Sequence, residues 1–401
     1  MVDFSLTEAE KELIEEMGRI SLSNQETDRY YDTHEEEIQP QTPPDPKKYQ
    51  TVFKLMGERT KDKLASSMGM FMMTQAMNQR LGGLGMMGMA AAAGGGMGGG
   101  RGGGLGNSSL TAAGTEEQKK KWGGYNLAMA NTEPGCGSDS KAIETTAVLD
   151  GDEWILNGEK IFVTGGIRCD GVVIWATLDR SKGRGAIKSF MVMKGAPGFE
   201  LSKKEKKLGI RSSDTAAFVL KDCRIPRENL LGLDEEIRTG GGGFKGLMQT
   251  FNMTRPMVAA GGIGNVNGAY HFVKEAMKKE GIEIDWEVGP VNRRDVVGKM
   301  IDLEAQIEAA SLSVYRSMYL AEKGKPNNVE AAMAKAKGGE VSRTCAQLAV
   351  ELLGAIGITH DQLVEKAFRD ARITDIYEGT GEINRLVVAR AILNYSSEDL
   401  M

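Results

Sequence analysis

Apolar residues near the start of the chain recur at helical spacing. The positions that keep this spacing are Leu13, Ile14, Met17 and Ile20. Thr7 followed by Glu10 fits a capped helix start, so we predict a helix from this point. A polar, proline-containing segment over 35–46 interrupts the pattern, which returns over 49–80.

The middle of the chain changes to short β-prone runs separated by turn residues. The runs are 154–156, 161–164, 172–175, 190–193 and 216–220. The pairs Asp150-Gly151 and Asn157-Gly158 can supply the positive φ angles that tight hairpins require. These signals predict a compact antiparallel barrel or sandwich.

Long helical patterns fill the last third of the chain. They cover 291–322, 328–353 and 383–395. The order of elements is therefore helices, then strands, then helices.

Glycine supplies 52 of the 401 residues, and 14 of them fall within Gly82–Gly106. This stretch is either a loop or a helix stabilised only by tertiary packing, because each glycine disfavours helix by about 1 kcal/mol relative to alanine. It contains a GxGxxG match from Gly83 to Gly88, but no strand precedes it as a dinucleotide site requires. Arg101 alone cannot supply the phosphate contacts of an RNA-binding segment.

Charge and composition exclude several classes of protein. With 50 basic and 55 acidic residues the net charge is −5, so we expect no nucleic-acid partner. No uninterrupted apolar run approaches about 18 residues, and we expect a soluble, cytoplasmic chain without a membrane span. Four sparse cysteines and three scattered histidines predict neither disulfides nor a metal site. The lysine-rich run 203–207 is either a solvated loop or a contact to a phosphorylated ligand.

Four motifs together are much more specific. They are NTEPGCGSD at 131–139, LNGEKIFVTG at 156–165, LGIRSSDT at 208–215 and IYEGTGEI at 376–383. In content, order and spacing they resemble the acyl-CoA dehydrogenase family. The resemblance is continuous over about 110–393.

The resemblance implies a three-domain subunit, with a helical N-terminal domain over 1–122 that includes the Gly/Met-rich segment, an antiparallel β-barrel over 123–235 and a C-terminal four-helix bundle over 236–401. It also implies an FAD-dependent oxidation of an acyl-CoA thioester to the 2,3-enoyl-CoA, with hydride transfer to flavin N5. An electron-transfer flavoprotein as acceptor and a homotetrameric assembly are further expectations.

Glu378 occupies the family's usual position for the base that removes the α-proton. An aqueous glutamate has a pKa of roughly 4.3, so we expect an apolar pocket with little else polar nearby to raise it. Relatives that carry the base on the preceding helix place it just before an arginine. Here that position is Thr254, whose hydroxyl cannot act as this base.

The resemblance also assigns binding residues. The predicted flavin contacts are Met129, Thr132, Gly137, Ser138, Phe162, Thr164, Gly354, Thr380 and Glu382. The predicted substrate contacts are Ser138, Asn252, Arg255, Tyr377 and Gly379. Arg255 could instead form a structural ion pair.

Two departures from the family's pattern leave alternatives open. The segment 280–287 is acidic where relatives place an arginine that reaches the FAD pyrophosphate, and Arg293 or Arg294 could compensate. Glu351 similarly stands where relatives have an amide. A non-oxidising acyl-CoA or flavin binder, or a decarboxylating or oxygen-using variant, is therefore an alternative.

The Gly/Met/Ala composition of 82–106 supports a roomy pocket for a bulky, branched or ring-bearing acyl group. The alternative for this segment is an interaction protein that works through it.

Overall fold

The computed structural model describes residues 8–37, 104–237 and 242–395. The chain divides into two compact units, each described by itself. The sheet unit comprises 87–207 and 213–251, and the helical unit comprises 1–86, 208–212 and 252–401. The three-domain division at residues 122 and 235 stays a prediction.

Eight α-helices and seven strands make up the described ranges. The helices are α1 (Glu8–Thr33), α2 (Leu105–Ala113), α3 (Glu116–Trp122), α4 (Gly242–Lys279), α5 (Asp295–Glu322), α6 (Asn328–Leu353), α7 (Val364–Ala371) and α8 (Gly381–Leu393). The strands are β1 (Leu127–Ala130), β2 (Thr146–Asp150), β3 (Glu153–Thr164), β4 (Gly171–Thr177), β5 (Ile187–Met193), β6 (Phe199–Lys204) and β7 (Thr215–Pro226). The helix–strand–helix order predicted above is confirmed.

The seven strands form one curled sheet in the order β1-β4-β2-β3-β7-β6, with β5 paired to β4. Four strand pairs are antiparallel, but β1 pairs with β4 in parallel and β2 meets β4 in parallel at Thr146 and Thr177. The sheet is therefore mostly antiparallel, as predicted, and the sequence did not anticipate the parallel pairing of β4 with β1 and β2. Since β1 and β4 are far apart in sequence, no local turn signal reports their direction.

The two predicted turn pairs have different outcomes. Gly151 has a φ of +62° in the two-residue connection between β2 and β3, as predicted. The Asn157-Gly158 turn is wrong, because both residues lie inside β3 at a register shift. A Cβ on Gly158 would lie 2.4 Å from Thr145 Oγ1, so glycine serves close backbone approach there.

The core of the sheet unit lies against β4, which is buried along its whole length. Its inward side chains include Leu156, Ile174, Phe190, Phe218 and Leu220. Helices α2 and α3 cover another part through Leu110 and Trp122. Part of the lysine-rich run belongs to β6 rather than to a loop: Lys203 pairs with Glu205 at 2.7 Å, and Lys207 donates to the Ser213 carbonyl.

In the helical unit, α4, α5, α6 and α7 share one apolar core, and α8 packs against α6. Helix α6 has the bounds predicted from the sequence, and α5 and α8 begin or end within a few residues of theirs. Length and hydropathy alone would allow Asn328–Ile358 to cross a bilayer. Core helices of soluble proteins meet the same test, and α6 buries an alanine-rich face in this core.

Helix α1 is confirmed from Glu8 and is tied to α7 by the ion pair between Asp32 and Arg369. Arg369 donates to both carboxylate oxygens of Asp32, at 3.0 and 2.7 Å, and to Glu365. Burial opposes ionisation of Asp32, but this contact outweighs it and holds the pKa of Asp32 below its usual range. The Thr7 cap, the helix predicted over 49–80 and the glycine-rich segment as far as residue 103 lie outside the described residues.

Candidate active site

Glu378 lies in a short connection between a 3-10 helix, Arg372–Asp375, and the start of α8. Its φ is +59°, and that of Gly379 is +90°. A left-handed backbone costs a non-glycine residue roughly 1–2 kcal/mol, so this turn persists only if its surroundings hold it. Such strain is concentrated at functional sites, which makes Glu378 the first candidate for a catalytic residue in the helical unit.

Hydrogen bonds from buried side chains hold the turn through its carbonyl oxygens. Arg255 Nε donates to the Glu378 carbonyl at 3.1 Å. The Gly379 carbonyl accepts from Lys335 Nζ at 3.1 Å and from Asn384 Nδ2 at 2.7 Å. Two cations therefore lie against adjacent peptide groups of the turn, from α4 and α6.

The Glu378 carboxylate is half-buried and accepts a hydrogen bond of 2.8 Å from Thr254 Oγ1. Burial raises its pKa, while Thr254, Arg255 and Lys335 act in the opposite direction without cancelling the rise. The expectation of a pocket with little else polar nearby is wrong, because a hydroxyl and two cations surround this turn. A carboxylate of raised basicity with one fixed hydrogen bond is suited to general-base chemistry.

Arg255 makes a structural contact to backbone, and the alternative of a structural ion pair stays a prediction. The residue is only 5% exposed, and burial lowers the pKa of its guanidinium despite the nearby Glu378. The guanidinium donates to backbone, which favours a structural role, and its contact to substrate stays a prediction.

The other predicted site residues of the helical unit lie at helix ends or make hydrogen bonds within this unit. Asn252 accepts from Asn327 Nδ2 through its carbonyl at 3.2 Å. Thr380 is the N-cap of α8, where its hydroxyl accepts from the Ile383 N–H at 3.3 Å. Glu382 is exposed in the first turn of α8, and Gly354 ends α6 with a φ of +57°. Tyr377 is half-buried, and burial raises the pKa of its hydroxyl.

In the sheet unit, the predicted flavin residues fall on two adjoining segments. The loop after β1 carries Thr132, whose carbonyl accepts from the Ile161 N–H of β3 at 3.0 Å. Met129 is half-buried in β1, and Ser109 donates to its sulfur. Gly137 and Ser138 are exposed at the end of the loop.

A buried ion pair joins the same two segments. Lys160 Nζ of β3 lies 2.6 Å from Glu133 Oε1, and both side chains are almost completely buried. The other donors to the Glu133 carboxylate are the N–H groups of Glu144 and Thr145. Burial opposes ionisation of Glu133, yet these contacts hold its pKa below the usual range.

Phe162 presents its ring to solvent, with the residue 59% exposed. Its φ is +55°, and the pairing of β3 with β7 shifts register between Lys160 and Val163. At this irregularity the Phe162 ring points outward, while Lys160 and Val163 on the same strand are buried. A strained, exposed aromatic residue in a rigid strand is a candidate binding surface.

These residues fit a flavin. Phe162 offers a flat apolar face, and the half-buried Thr132 and Thr164 offer short hydroxyls from the same unit. The nearest atom to a Cβ built on Gly137 is Thr132 Cγ2 at 3.8 Å, so the loop surface is open there. Metal chemistry lacks this support, since the described ranges contain no group of three His, Cys, Asp or Glu suited to a metal ion.

The structure does not support compensation by Arg293. Its guanidinium donates to the Val288 carbonyl at 2.7 Å and to the Trp286 carbonyl at 3.4 Å, so it closes the acidic segment on itself. Arg294 is the N-cap residue of α5. The side chain of Glu351 accepts from Gln347 at 2.9 Å within α6.

Sequence reasoning missed Lys335 and the Glu133–Lys160 pair as site residues. A signal for Lys335 was present, because it stands in the alanine-rich run 331–336 on the apolar side of α6. A lysine at such a position must be hydrogen-bonded or paired. Its partner lies 44 residues away in sequence, and no local pattern identifies it.

Known proteins resemble this chain over most of its length. Residues 128–223 match the acyl-CoA dehydrogenase middle domain, and residues 241–393 match the acyl-CoA dehydrogenase C-terminal domain. The chain is 39% identical over 292 residues to the short-chain specific acyl-CoA dehydrogenase of Clostridium acetobutylicum, covering 70% of this chain and 73% of that protein. It is 37% identical over 269 residues to cyclohexane-1-carbonyl-CoA dehydrogenase of Syntrophus aciditrophicus, covering 67% of each. Butyryl-CoA dehydrogenase from Megasphaera elsdenii superposes with a TM-score of 0.79 at 29% identity, covering 98% of this chain and 100% of that one.

Proposed function

Since this chain belongs to the acyl-CoA dehydrogenase family of FAD-dependent oxidoreductases, we propose that it oxidises an acyl-CoA thioester to the 2,3-enoyl-CoA with Glu378 as the α-proton base. The observation that carries the proposal is the Glu378 carboxylate itself. It is half-buried, hydrogen-bonded to Thr254 and mounted on a strained turn that two cations hold.

Burial makes this carboxylate more basic than an aqueous glutamate, so it accepts a proton more readily. Thr254 fixes the orientation of one carboxylate oxygen and leaves the other to receive the proton. The backbone N–H of Glu378 is proposed to donate to the thioester oxygen, which acidifies the α-carbon. The contacts of Arg255 and Lys335 to the turn keep that N–H and the carboxylate in fixed relation.

Bound FAD supplies the acceptor for the β-hydride at its N5 position. Phe162 provides the proposed stacking surface, and Thr132 and Thr164 provide hydroxyls for the polar edge of the ring. The Glu133–Lys160 pair holds these segments together, which fixes the surface before the cofactor binds. Gly354, Thr380 and Glu382 are proposed to complete the cofactor site, and Ser138, Asn252, Tyr377 and Gly379 to contact the substrate.

For the acyl group, we propose a bulky, branched or ring-bearing chain. The composition of 82–106 supports this, and one relative is a cyclohexane-1-carbonyl-CoA dehydrogenase. The names of two other relatives, short-chain and butyryl-CoA dehydrogenase, support a small straight chain instead. An electron-transfer flavoprotein as acceptor, a homotetramer and a cytoplasmic location complete the proposal.

The test is anaerobic bleaching of the purified flavoprotein by a panel of butyryl-, isobutyryl-, octanoyl- and cyclohexane-1-carbonyl-CoA. Bleaching by at least one of them, with the enoyl-CoA as product, is the expected result. A strict preference for butyryl-CoA would remove the bulky-substrate part alone.

The acidic segment 280–287 favours a second candidate, a relative that binds acyl-CoA or flavin without oxidising it. Tight binding of every thioester without any bleaching would support that candidate. Release of CO₂ or consumption of O₂ would identify a decarboxylating or oxygen-using variant.

A further inference from the structure

Lys335 is a buried cation whose positive charge the steps above do not use; they use only its contact with the turn. Its side chain is completely buried on α6, between Ala331, Ala332, Ala334 and Ala336. Its ammonium group donates to the Gly379 carbonyl at 3.1 Å, and the carboxylates of Asp375, Glu378 and Glu382 act on it electrostatically. Burying a lysine costs free energy, so a buried ammonium at this position calls for a functional explanation.

We propose that Lys335 is a positioning residue that keeps Glu378 ionised and its turn oriented for proton abstraction. The inference rests on the proposed role of Glu378 as base. Its structural basis is the 3.1 Å hydrogen bond from Lys335 Nζ to the Gly379 carbonyl, one peptide away from the glutamate.

The neutral Asn384 amide already binds the same carbonyl at 2.7 Å. A second donor is therefore not required to satisfy that oxygen, and what Lys335 adds is positive charge. The charge lies next to a left-handed turn whose carboxylate tends to protonate because it is buried. A fixed cation at this position favours the ionised form, which is the form that accepts the α-proton.

Four charged groups face Lys335. Asp375 and Glu378 precede α8, Glu382 lies in its first turn, and Arg255 comes from α4. Burial lowers the pKa of Lys335 to about 8, against the pull of Asp375 and Glu378. The ammonium form therefore dominates at neutral pH and is lost as the pH rises through this value.

The experiment compares Lys335→Gln, which keeps a donor and removes the charge, with Lys335→Arg, which keeps both. Lys337→Met is the matched control on the same helix, where the lysine donates to Gln306. The rate of anaerobic flavin bleaching is measured from pH 5 to pH 10 with the acyl-CoA that bleaches the wild type best. We expect Lys335→Gln to move the midpoint of the acid limb up by about one pH unit, so that bleaching slows about tenfold at pH values below the wild-type midpoint, equivalent to one pKa unit of the base. Substrate affinity should change little.

Lys335→Arg should keep the acid limb and abolish any inflection near pH 8, because a guanidinium does not titrate in this range. An unmoved acid limb in Lys335→Gln, or an equal shift in Lys337→Met, would overturn the inference. If Lys335→Gln does not fold, a wild-type inflection that persists in Lys335→Arg would overturn it equally. Failure of the base assignment is distinguished by Glu378→Gln, which would then still bleach.

Discussion

Removal of one partner of the Glu133–Lys160 pair tests how the proposed flavin surface is held. Glu133→Gln leaves the Lys160 ammonium unpaired where its side chain is completely buried. It also takes the charged acceptor from the N–H groups of Glu144 and Thr145. Breaking a buried ion pair in this way costs about 3–5 kcal/mol, so we expect a loss of that size in the free energy of unfolding.

The double variant Glu133→Gln/Lys160→Met removes both charges together. Replacing both partners of such a pair is often nearly neutral, so it should be much more stable than the sum of the single variants predicts. Urea unfolding of the apoprotein followed by tryptophan fluorescence is the assay. Trp122, Trp154 and Trp175 are all buried in the sheet unit and report on it.

The same variants should lose cofactor affinity. If the pair orders the segments of Thr132 and Phe162, the FAD dissociation constant of Glu133→Gln rises about tenfold or more, equivalent to ~1.4 kcal/mol. Glu159→Gln is the control, since Glu159 is exposed beside Lys160. Wild-type stability and FAD affinity in Glu133→Gln, or strictly additive losses in the double variant, would refute the reasoning.

Two further predictions concern ionisable groups in the helical unit. Thr254→Val removes the hydroxyl that donates to Glu378. Because a hydrogen bond to a charged group is worth about 1.5–3 kcal/mol, the midpoint of the acid limb in the pH profile of the bleaching rate should move up by about 1–2 pH units. Thr254→Ser keeps the hydroxyl and should leave this midpoint in place. An unchanged limb in Thr254→Val would show that this bond does not tune the base. For Asp32, whose folded-state pKa is lowered, the stabilisation is present above the unfolded carboxyl pKa near 4 and is lost as the pH falls through the folded value. Asp32→Asn should therefore have a lower melting temperature than the wild type at pH 7, and its melting temperature should fall less on acidification. If plots of melting temperature against pH run parallel for the two proteins from pH 3 to 7, this prediction is contradicted.

Local signals predicted the elements that local interactions determine. Helix α6 has its predicted bounds because its apolar pattern runs unbroken until Gly354, whose φ of +57° ends it. The Asn157-Gly158 pair gave a false turn, because the same residue types serve a tight turn and a close backbone approach to Thr145. The parallel pairing of β1 with β4 joins distant segments, and the sequence of neither strand indicates its direction.

In the candidate site, too, local sequence signals were predictive and long-range contacts were not. The motif at 376–383 identified Glu378, and the position of Thr254 before Arg255 excluded another base. What surrounds the carboxylate was not predictable, because Thr254 and Lys335 reach the turn from helices 124 and 44 residues away. Burial and charge around Glu378 are properties of tertiary packing.

The most direct measurement is anaerobic reduction of Glu378→Gln by an acyl-CoA that bleaches the wild type, with flavin content and substrate binding measured on the same sample. The account predicts a variant that retains FAD and binds the thioester but bleaches more slowly by about 10²–10⁴-fold, the usual contribution of a general base. Bleaching of Glu378→Gln at the wild-type rate would contradict it.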